Sequence, residues 1–228
     1  MYPRNPKIFF LIPAYNESKV IGDVVRSVKS EFEDVVVIDD GSIDQTSQKA
    51  QEAGAVVLKH LMNRGQGAAL KTGIDYALCE GADILVTFDS DGQHQLDDAK
   101  NMISQILTGR YDVILGSRFL YKDNQIPWLR RGVLKLGTVF TCLVSGIKVT
   151  DTHNGLRVLL RSAAEQMLIQ QDRMAHASEI LDEIGRLKLR YCEFPTRIVY
   201  TDYSKQKGQN SLNAFRILRD FLIQKLGG

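Results

Sequence analysis

Short β-branched runs alternate with helix-period segments through the first half of this chain, and that alternation limits the fold more than any other feature. Residues 7–13 (KIFFLIP), 34–39 (DVVVID), 56–59 (VVLK), 84–89 (ILVTFD) and 112–117 (DVILGS) are largely apolar runs of strand length. Between them, 20–30, 46–53, 66–79 and 97–107 carry helical spacing. Strands that are apolar on both faces need cover on both faces. The pattern therefore predicts an α/β fold, a mostly parallel sheet with helices on either side. The second half is less regular. Residues 155–160, 190–194 and 197–201 are predicted strands, 177–187 a helix, and 212–226 a terminal amphipathic helix. A length of 228 residues suits one domain, with 1–118 and 119–228 as its halves.

Composition narrows the function classes. A net charge of +2 gives no bulk attraction to nucleic acid. Cys79, Cys142 and Cys192 are odd in number and lack CxxC spacing, so a disulfide framework and a zinc cluster are both disfavoured and a reducing compartment is expected. The N-terminus lacks the length and cleavage site of a signal peptide, and no uninterrupted apolar run reaches about 18 residues. A cytoplasmic protein is expected, with two stretches suited to a membrane surface. One is 126–131 (IPWLRR), where Trp128 stands beside Arg130 and Arg131. The other places Phe215, Leu218, Leu222 and Leu226 at helical spacing near Arg216, Arg219 and Lys225. Either stretch equally suits core packing, a homodimer contact or docking on a small membrane-protein partner.

Polar clusters close three of the strands: 13–17 (PAYNE), 39–42 (DDGS) and 89–94 (DSDGQH). Any one of them is an ordinary turn. In a parallel sheet, however, all three fall beyond the carboxyl ends of strands, where ligands bind. In Asp89-Ser90-Asp91 the alternate residues can face one side. Two hard carboxylates so placed suit Mg²⁺ or Mn²⁺ and leave coordination positions for phosphate oxygens. Gln93 is a third candidate ligand through its carbonyl oxygen. His94 either supplies a nitrogen, contacts phosphate or is structural. Residues 63–69 (NRGQGAA) lead into a helix whose N-terminus favours anions, with glycines that allow close backbone approach. They match neither the Walker pattern nor GxGxxG.

Taken in order, IPAYNE (12–17), VIDDGSIDQT (37–46), NRGQGAALKTG (63–73), DSDGQH (89–94), GSR (116–118), DTHNGLR (151–157) and YSKQKGQ (203–209) resemble the family 2 glycosyltransferases of GT-A fold. The similarity covers nearly the whole chain and is greatest to the branch that loads hexoses onto dolichyl or polyprenyl phosphate. It implies a hexosyltransferase with a Rossmann-like nucleotide-sugar half, a small acceptor-side region with amphipathic helices, and Mg²⁺ or Mn²⁺ as cofactor. By the same resemblance, Pro13, Tyr15, Glu17, Asp39, Asp40, Asp44, Lys71, Asp89, Ser90 and Asp91 bind the nucleotide-sugar, with Asp40 on the base. Asp89, Asp91 and Gln93 hold the metal. Arg118, Arg131, Asp151, Arg157 and Lys207 face the acceptor or its phosphate. Two departures leave the individual enzyme open. Leu156 stands where these enzymes often carry Phe, after His153-Asn154-Gly155, and the C-terminal spans of many members have no counterpart in this sequence.

Breaking a sugar–phosphate bond builds charge on a nucleoside diphosphate, which a metal and nearby cations stabilise. Asp91 and Arg118 are the expected catalytic groups at that end. Lys205 or Lys207, in a loop loosened by Gly208, is expected to close over it. A lipid-phosphate acceptor needs no base. A hydroxyl of a glycan or glycolipid does, and Glu179, at the spacing its family relatives use, is the first candidate and Asp151 the second. The resemblance implies single displacement with inversion. Two rivals fit less well. A sugar nucleotidyltransferase needs a glycine-rich loop with Arg where 13–17 stand, and a non-catalytic nucleotide-sugar-binding module has no use for the Asp89/Asp91 pair.

Overall fold

A computed structural model of the chain describes residues 5–121, 138, 146–172 and 176–199. The IPWLRR stretch with Arg131, the segment carrying Lys205, Lys207 and Gly208, and the expected terminal helix lie outside the described residues. Strands β1 (Ile8–Ala14), β2 (Asp34–Asp39), β3 (Val56–Lys59), β4 (Ile84–Thr87) and β5 (Val113–Ser117) alternate with helices α1 (Ile21–Lys29), α2 (Thr46–Glu52), α3 (Gln66–Cys79) and α4 (Leu96–Ile106). Then follow β6 (Arg157–Leu160), α5 (Arg161–Ala164), α6 (His176–Arg186) and β7 (Tyr191–Pro195). All seven strands form one sheet in the order β3-β2-β1-β4-β6-β5-β7. β1 lies parallel to both β2 and β4, and β5 parallel to β7. β6 runs antiparallel between β4 and β5.

The apolar runs are explained by cover on both faces. Phe9 and Leu11 of β1 join Val36, Ile38 and Leu85 beneath Ile74 and Ala77 of α3 and Ile180 and Ile184 of α6. Phe10 and Ile12 point the other way, with Val35, Val37 and Val86, against Val24, Val25 and Val28 of α1 and Met102, Ile103 and Ile106 of α4. Each such side chain, fully withdrawn from water, contributes roughly 1.5–3 kcal/mol. α1 buries Ile21, Val24, Val25 and Val28, one helical stripe, and keeps Arg26 and Lys29 in its last turn, where cations suit the helix dipole.

The expected strand and helix boundaries hold within a residue or two, with informative exceptions. β4 ends at Thr87, so Phe88 and Asp89 already belong to the loop. The described part of the strand expected at 197–201 is no strand. Residues 196–199 form a strap whose N–H groups go elsewhere: Thr196 N donates to Ser117 O at 3.0 Å, Arg197 N to Asp98 Oδ2 at 2.7 Å, and Val199 N to Gln93 O at 3.0 Å. α5, a single turn, carries no periodic signal in the sequence. The antiparallel sense of β6 also lies outside what periodicity reveals. It matters most for the site, because an antiparallel strand begins at the edge where its parallel neighbours end.

Asp44 opens α2. Its carboxylate accepts from Thr46 N at 3.0 Å, from Thr46 Oγ1 and from Ser18 N at 3.2 Å. Partial burial raises its pKa, but these hydrogen bonds outweigh that and hold it at about 2. A depressed carboxyl adds stability above its unfolded value and loses it as pH falls through the folded one. The stability gap between wild type and Asp44→Asn, measured by urea unfolding, is therefore expected to be constant near neutrality and to close as pH falls from 3.8 toward 2.

Candidate active site

Six chain segments meet at one edge of the sheet. β1, β2, β4, β5 and β7 deliver 14–17, 39–44, 88–94, 117–118 and 196–199 at their carboxyl ends. β6 enters from that edge and adds 151–156.

On the donor side, Pro13 is buried in β1, Glu17 is 6% exposed, and Tyr15 stands out at 43%. The two acids that close β2 both hold backbone N–H groups. Asp39 is fully buried. Its Oδ1 accepts from Ser42 N at 2.8 Å, and Ser47 Oγ and Lys59 Nζ meet its other oxygen. Asp40 is engaged on both oxygens, by Arg64 N at 3.0 Å and His60 Nδ1 at 2.7 Å on one and by Gly65 N at 2.6 Å on the other. These carboxylates tie 40–47 and 60–65 into place, and Asp40 holds the start of α3 against the end of β2. Lys71 pairs with Asp75 one turn along α3, at 2.6 Å, and lines a cleft of about 410 Å³ with Arg64 and Asp172.

Asp89 and Asp91 follow β4. Oδ2 of Asp89 meets His94 Nε2 at 2.8 Å and Oδ1 meets Gln66 Nε2 at 3.2 Å, while 29% of the side chain stays exposed. Burial penalises this carboxylate, but the His94 hydrogen bond and charge, with Arg157 and Arg118, hold its pKa below the usual value. Asp91 accepts from Gln93 N at 3.0 Å, and its pKa is pushed up, first by burial and then by the charge of Asp89. Ser90 is buried between them at 7% exposure. The donor set fits a hard divalent cation, which would relieve the repulsion that Asp91 carries. Among the described residues no group of three or more His, Cys, Asp or Glu stands ready for a metal. A cation here would rely on the two aspartates, on Gln93 and on oxygens of a ligand. His94, left open between three roles in the sequence, aims its Nε2 at Asp89.

Gly155 explains how the acceptor-side loop fits. A Cβ on Gly155 would lie 2.2 Å from both carboxylate oxygens of Asp89. Thr87 Oγ1 donates to Gly155 O, locking the two loops together. Around this contact, Asp151 is buried and accepts from Arg118 Nε at 2.7 Å and from Arg118 N at 3.1 Å. Arg118 Nη2 donates to His153 O at 2.9 Å. Arg157, 3% exposed at the start of β6, has its pKa lowered to about 10 by burial, opposed by Asp89 and Asp151. Burial also lowers the pKa of His153.

Glu179 takes another place than that of a base. Its two oxygens accept from Gln170 N and Gln171 N, each at 2.9 Å. That pins a loop pressed onto α3, where a Cβ on Gly67 would lie 1.9 Å from Gln171 O. The close approach that the glycines of 63–69 allow is here an approach of the chain to itself. Three contributors went unseen in the sequence. Glu193 accepts from Thr150 N at 2.8 Å and Asp151 N at 3.2 Å, Asp98 anchors the strap, and Gln66 reaches Asp89. Gln66 lies inside the NRGQGAALKTG stretch. Asp98 and Glu193 are acids on regular elements and carry no local signal.

Known proteins resemble this chain. The family described as Glycosyl transferase family 2 matches residues 9–168. An uncharacterized protein of Methanocaldococcus jannaschii is 37% identical over 226 residues, covering 96% of this chain and 93% of its own. The UDP-N-acetylglucosamine–dolichyl-phosphate N-acetylglucosaminyltransferase of Methanococcus voltae is 34% identical over 242 residues, covering 96% of each. Among solved structures, glucosyl-3-phosphoglycerate synthase of Mycobacterium tuberculosis, in complex with Mn²⁺, UDP-glucose and phosphoglyceric acid, superposes with a TM-score of 0.70 at 20% identity. The match covers 98% of this chain and 80% of that one.

The three atoms nearest a new Cβ at 155 belong to the Asp89 side chain, which can shift without a break in the backbone. Gly155→Ala is expected to stay folded, with Asp89 displaced. Glycosyl transfer should fall roughly tenfold or more while the thermal midpoint moves by only a few degrees.

Proposed function

The chain belongs to glycosyl transferase family 2, and on that premise we propose that it moves a hexose or N-acetylhexosamine from a UDP-sugar to dolichyl or polyprenyl phosphate. Asp89 and Asp91, with Gln93, would hold a divalent cation. The observation that carries this reading is the meeting, at one sheet edge, of the Asp89/Asp91 pair with the guanidinium groups of Arg118 and Arg157. Negative groups there suit a cation, and positive ones suit phosphate.

When bound, the cation would stabilise charge growing on the departing diphosphate. Asp151 holds Arg118 by its Nε, so the guanidinium has one fixed orientation for a phosphate oxygen. Arg157 adds a buried charge, whose attraction for an anion is screened less than it would be in water. An acceptor phosphate oxygen forms the bond to the anomeric carbon as the bond to the diphosphate oxygen breaks from the opposite face, which inverts the configuration. No proton has to be removed from such an acceptor. This favours lipid phosphate over a hydroxyl, because both candidate bases are occupied, Glu179 by two backbone N–H groups and Asp151 by Arg118. The name of the Methanococcus voltae relative supports the UDP donor and the dolichyl phosphate acceptor. No helix among the described residues is long and apolar enough to cross a membrane. We place the reaction at the cytoplasmic face of a membrane that supplies the acceptor, with the protein peripheral to it.

Purified protein given UDP- or GDP-linked sugars, dolichyl phosphate and Mn²⁺ or Mg²⁺ is expected to form a sugar–phosphate lipid from a UDP-sugar. Chelation should stop the reaction, and Asp91→Asn should slow it roughly a hundredfold. Undiminished turnover after chelation would remove the metal from the reading, and retained anomeric configuration in the product would remove single displacement. Glu179→Gln should lower the thermal midpoint by loosening the 170–171 loop, yet cost less than tenfold in rate. Loss of a general base would cost roughly 10²–10⁴-fold.

A further inference from the structure

We propose that His94 is a positioning residue for Asp89, fixing the carboxylate that would receive the cation without itself touching donor or acceptor. The inference rests on the reading of Asp89 and Asp91 as the metal-holding pair.

The ring of His94 is 8% exposed and packs edge-on to Phe88, centroids 5.5 Å apart. Its Nε2 lies 2.8 Å from Asp89 Oδ2. An ionised carboxylate only accepts, so Nε2 carries the proton. Nδ1 is buried and has no hydrogen-bond partner among the described residues. Burying a ring nitrogen without a partner is unfavourable, and a histidine that only filled the core would gain nothing by facing a metal loop. Here one nitrogen is satisfied, and it is the one aimed at Asp89. The same arrangement removes His94 as a ligand. One nitrogen is committed to Asp89 and the other is turned into the interior.

The consequence falls on Asp89. Gln66 Nε2 holds Oδ1 at 3.2 Å, His94 holds Oδ2, and Gly155 fills the space beneath. The carboxylate is thus restrained on three sides, and each oxygen keeps lone-pair capacity for a cation. Outer partners of this kind typically change metal affinity by about 10- to 100-fold when removed.

The test measures Mn²⁺ affinity, by electron paramagnetic resonance of the free ion at fixed UDP, in wild type, His94→Leu, His94→Gln and His94→Asn. The amide nitrogen of Gln reaches the position of Nε2, and that of Asn reaches only the position of Nδ1. His94→Leu and His94→Asn are expected to bind Mn²⁺ roughly 10- to 100-fold more weakly. His94→Gln should recover most of the affinity, and UDP affinity in EDTA should be unchanged in all three. Wild-type Mn²⁺ affinity in folded His94→Leu overturns the proposal. If that variant does not fold, equal affinities for the Gln and Asn variants overturn it. Asp91→Asn, measured alongside, separates the two levels. If it too keeps wild-type affinity, the metal reading itself fails. If it alone loses Mn²⁺, only the role of His94 fails.

Discussion

The carboxylate of Asp89 rests against the α-carbon of Gly155, and much of the site depends on that contact. It joins the loop leaving β4 to the loop entering β6. The two strands are antiparallel partners in which Thr87 faces Arg157, so the register that seats Thr87 also brings Gly155 under Asp89. Any side chain at 155 would compete with the carboxylate for the same space. A dry ladder of main-chain hydrogen bonds thereby fixes the position of a group whose chemistry lies outside the sheet.

Most acids around the edge serve the backbone. Loops without a ladder leave N–H groups to be satisfied, and a buried N–H without a partner costs about 1–3 kcal/mol. Asp39, Asp40, Asp98, Glu179 and Glu193 each accept from such groups. The bonds are charge-assisted and hold long irregular segments at fixed angles. Asp89 differs in that side chains, Gln66 and His94, hold its two oxygens, and Asp91 beside it has its pKa raised by burial and by the charge of Asp89.

The sequence disclosed the first five strands, and the polar ends of three of them, because period and strand-end chemistry are local properties. Val35–Ile38 needs only its own neighbours to be read as a buried strand. The sense of β6 depends on where the chain goes after residue 121, which no local pattern records. Glu179 and Asp40 show the same limit in side chains. An acid at a family-typical spacing looks alike whether it faces a substrate or a pair of amides, and only the path of residues 170–171 or 64–65 distinguishes the cases. The pairing of Lys71 with Asp75, by contrast, joins neighbours one helical turn apart and is visible in the sequence itself. The outline of the Asp89 site was legible in DSDGQH, but its restraint by Gly155 joins residues more than sixty positions apart.

The strap at 196–199 carries a consequence for the order of assembly. Arg197 meets Asp98 across 99 residues of sequence, whereas α1 and β2 adjoin their neighbours within a few residues. Closing such a long loop costs entropy before any contact offsets it. During synthesis the amino-terminal part emerges first and can pair β1 with β2 and β3 while β7 is still in the ribosome. The loop carrying Asp91 and Gln93 gains its outer support only once residues 197–199 have been made, so a nascent chain holds the elements of the site well before it holds their final geometry.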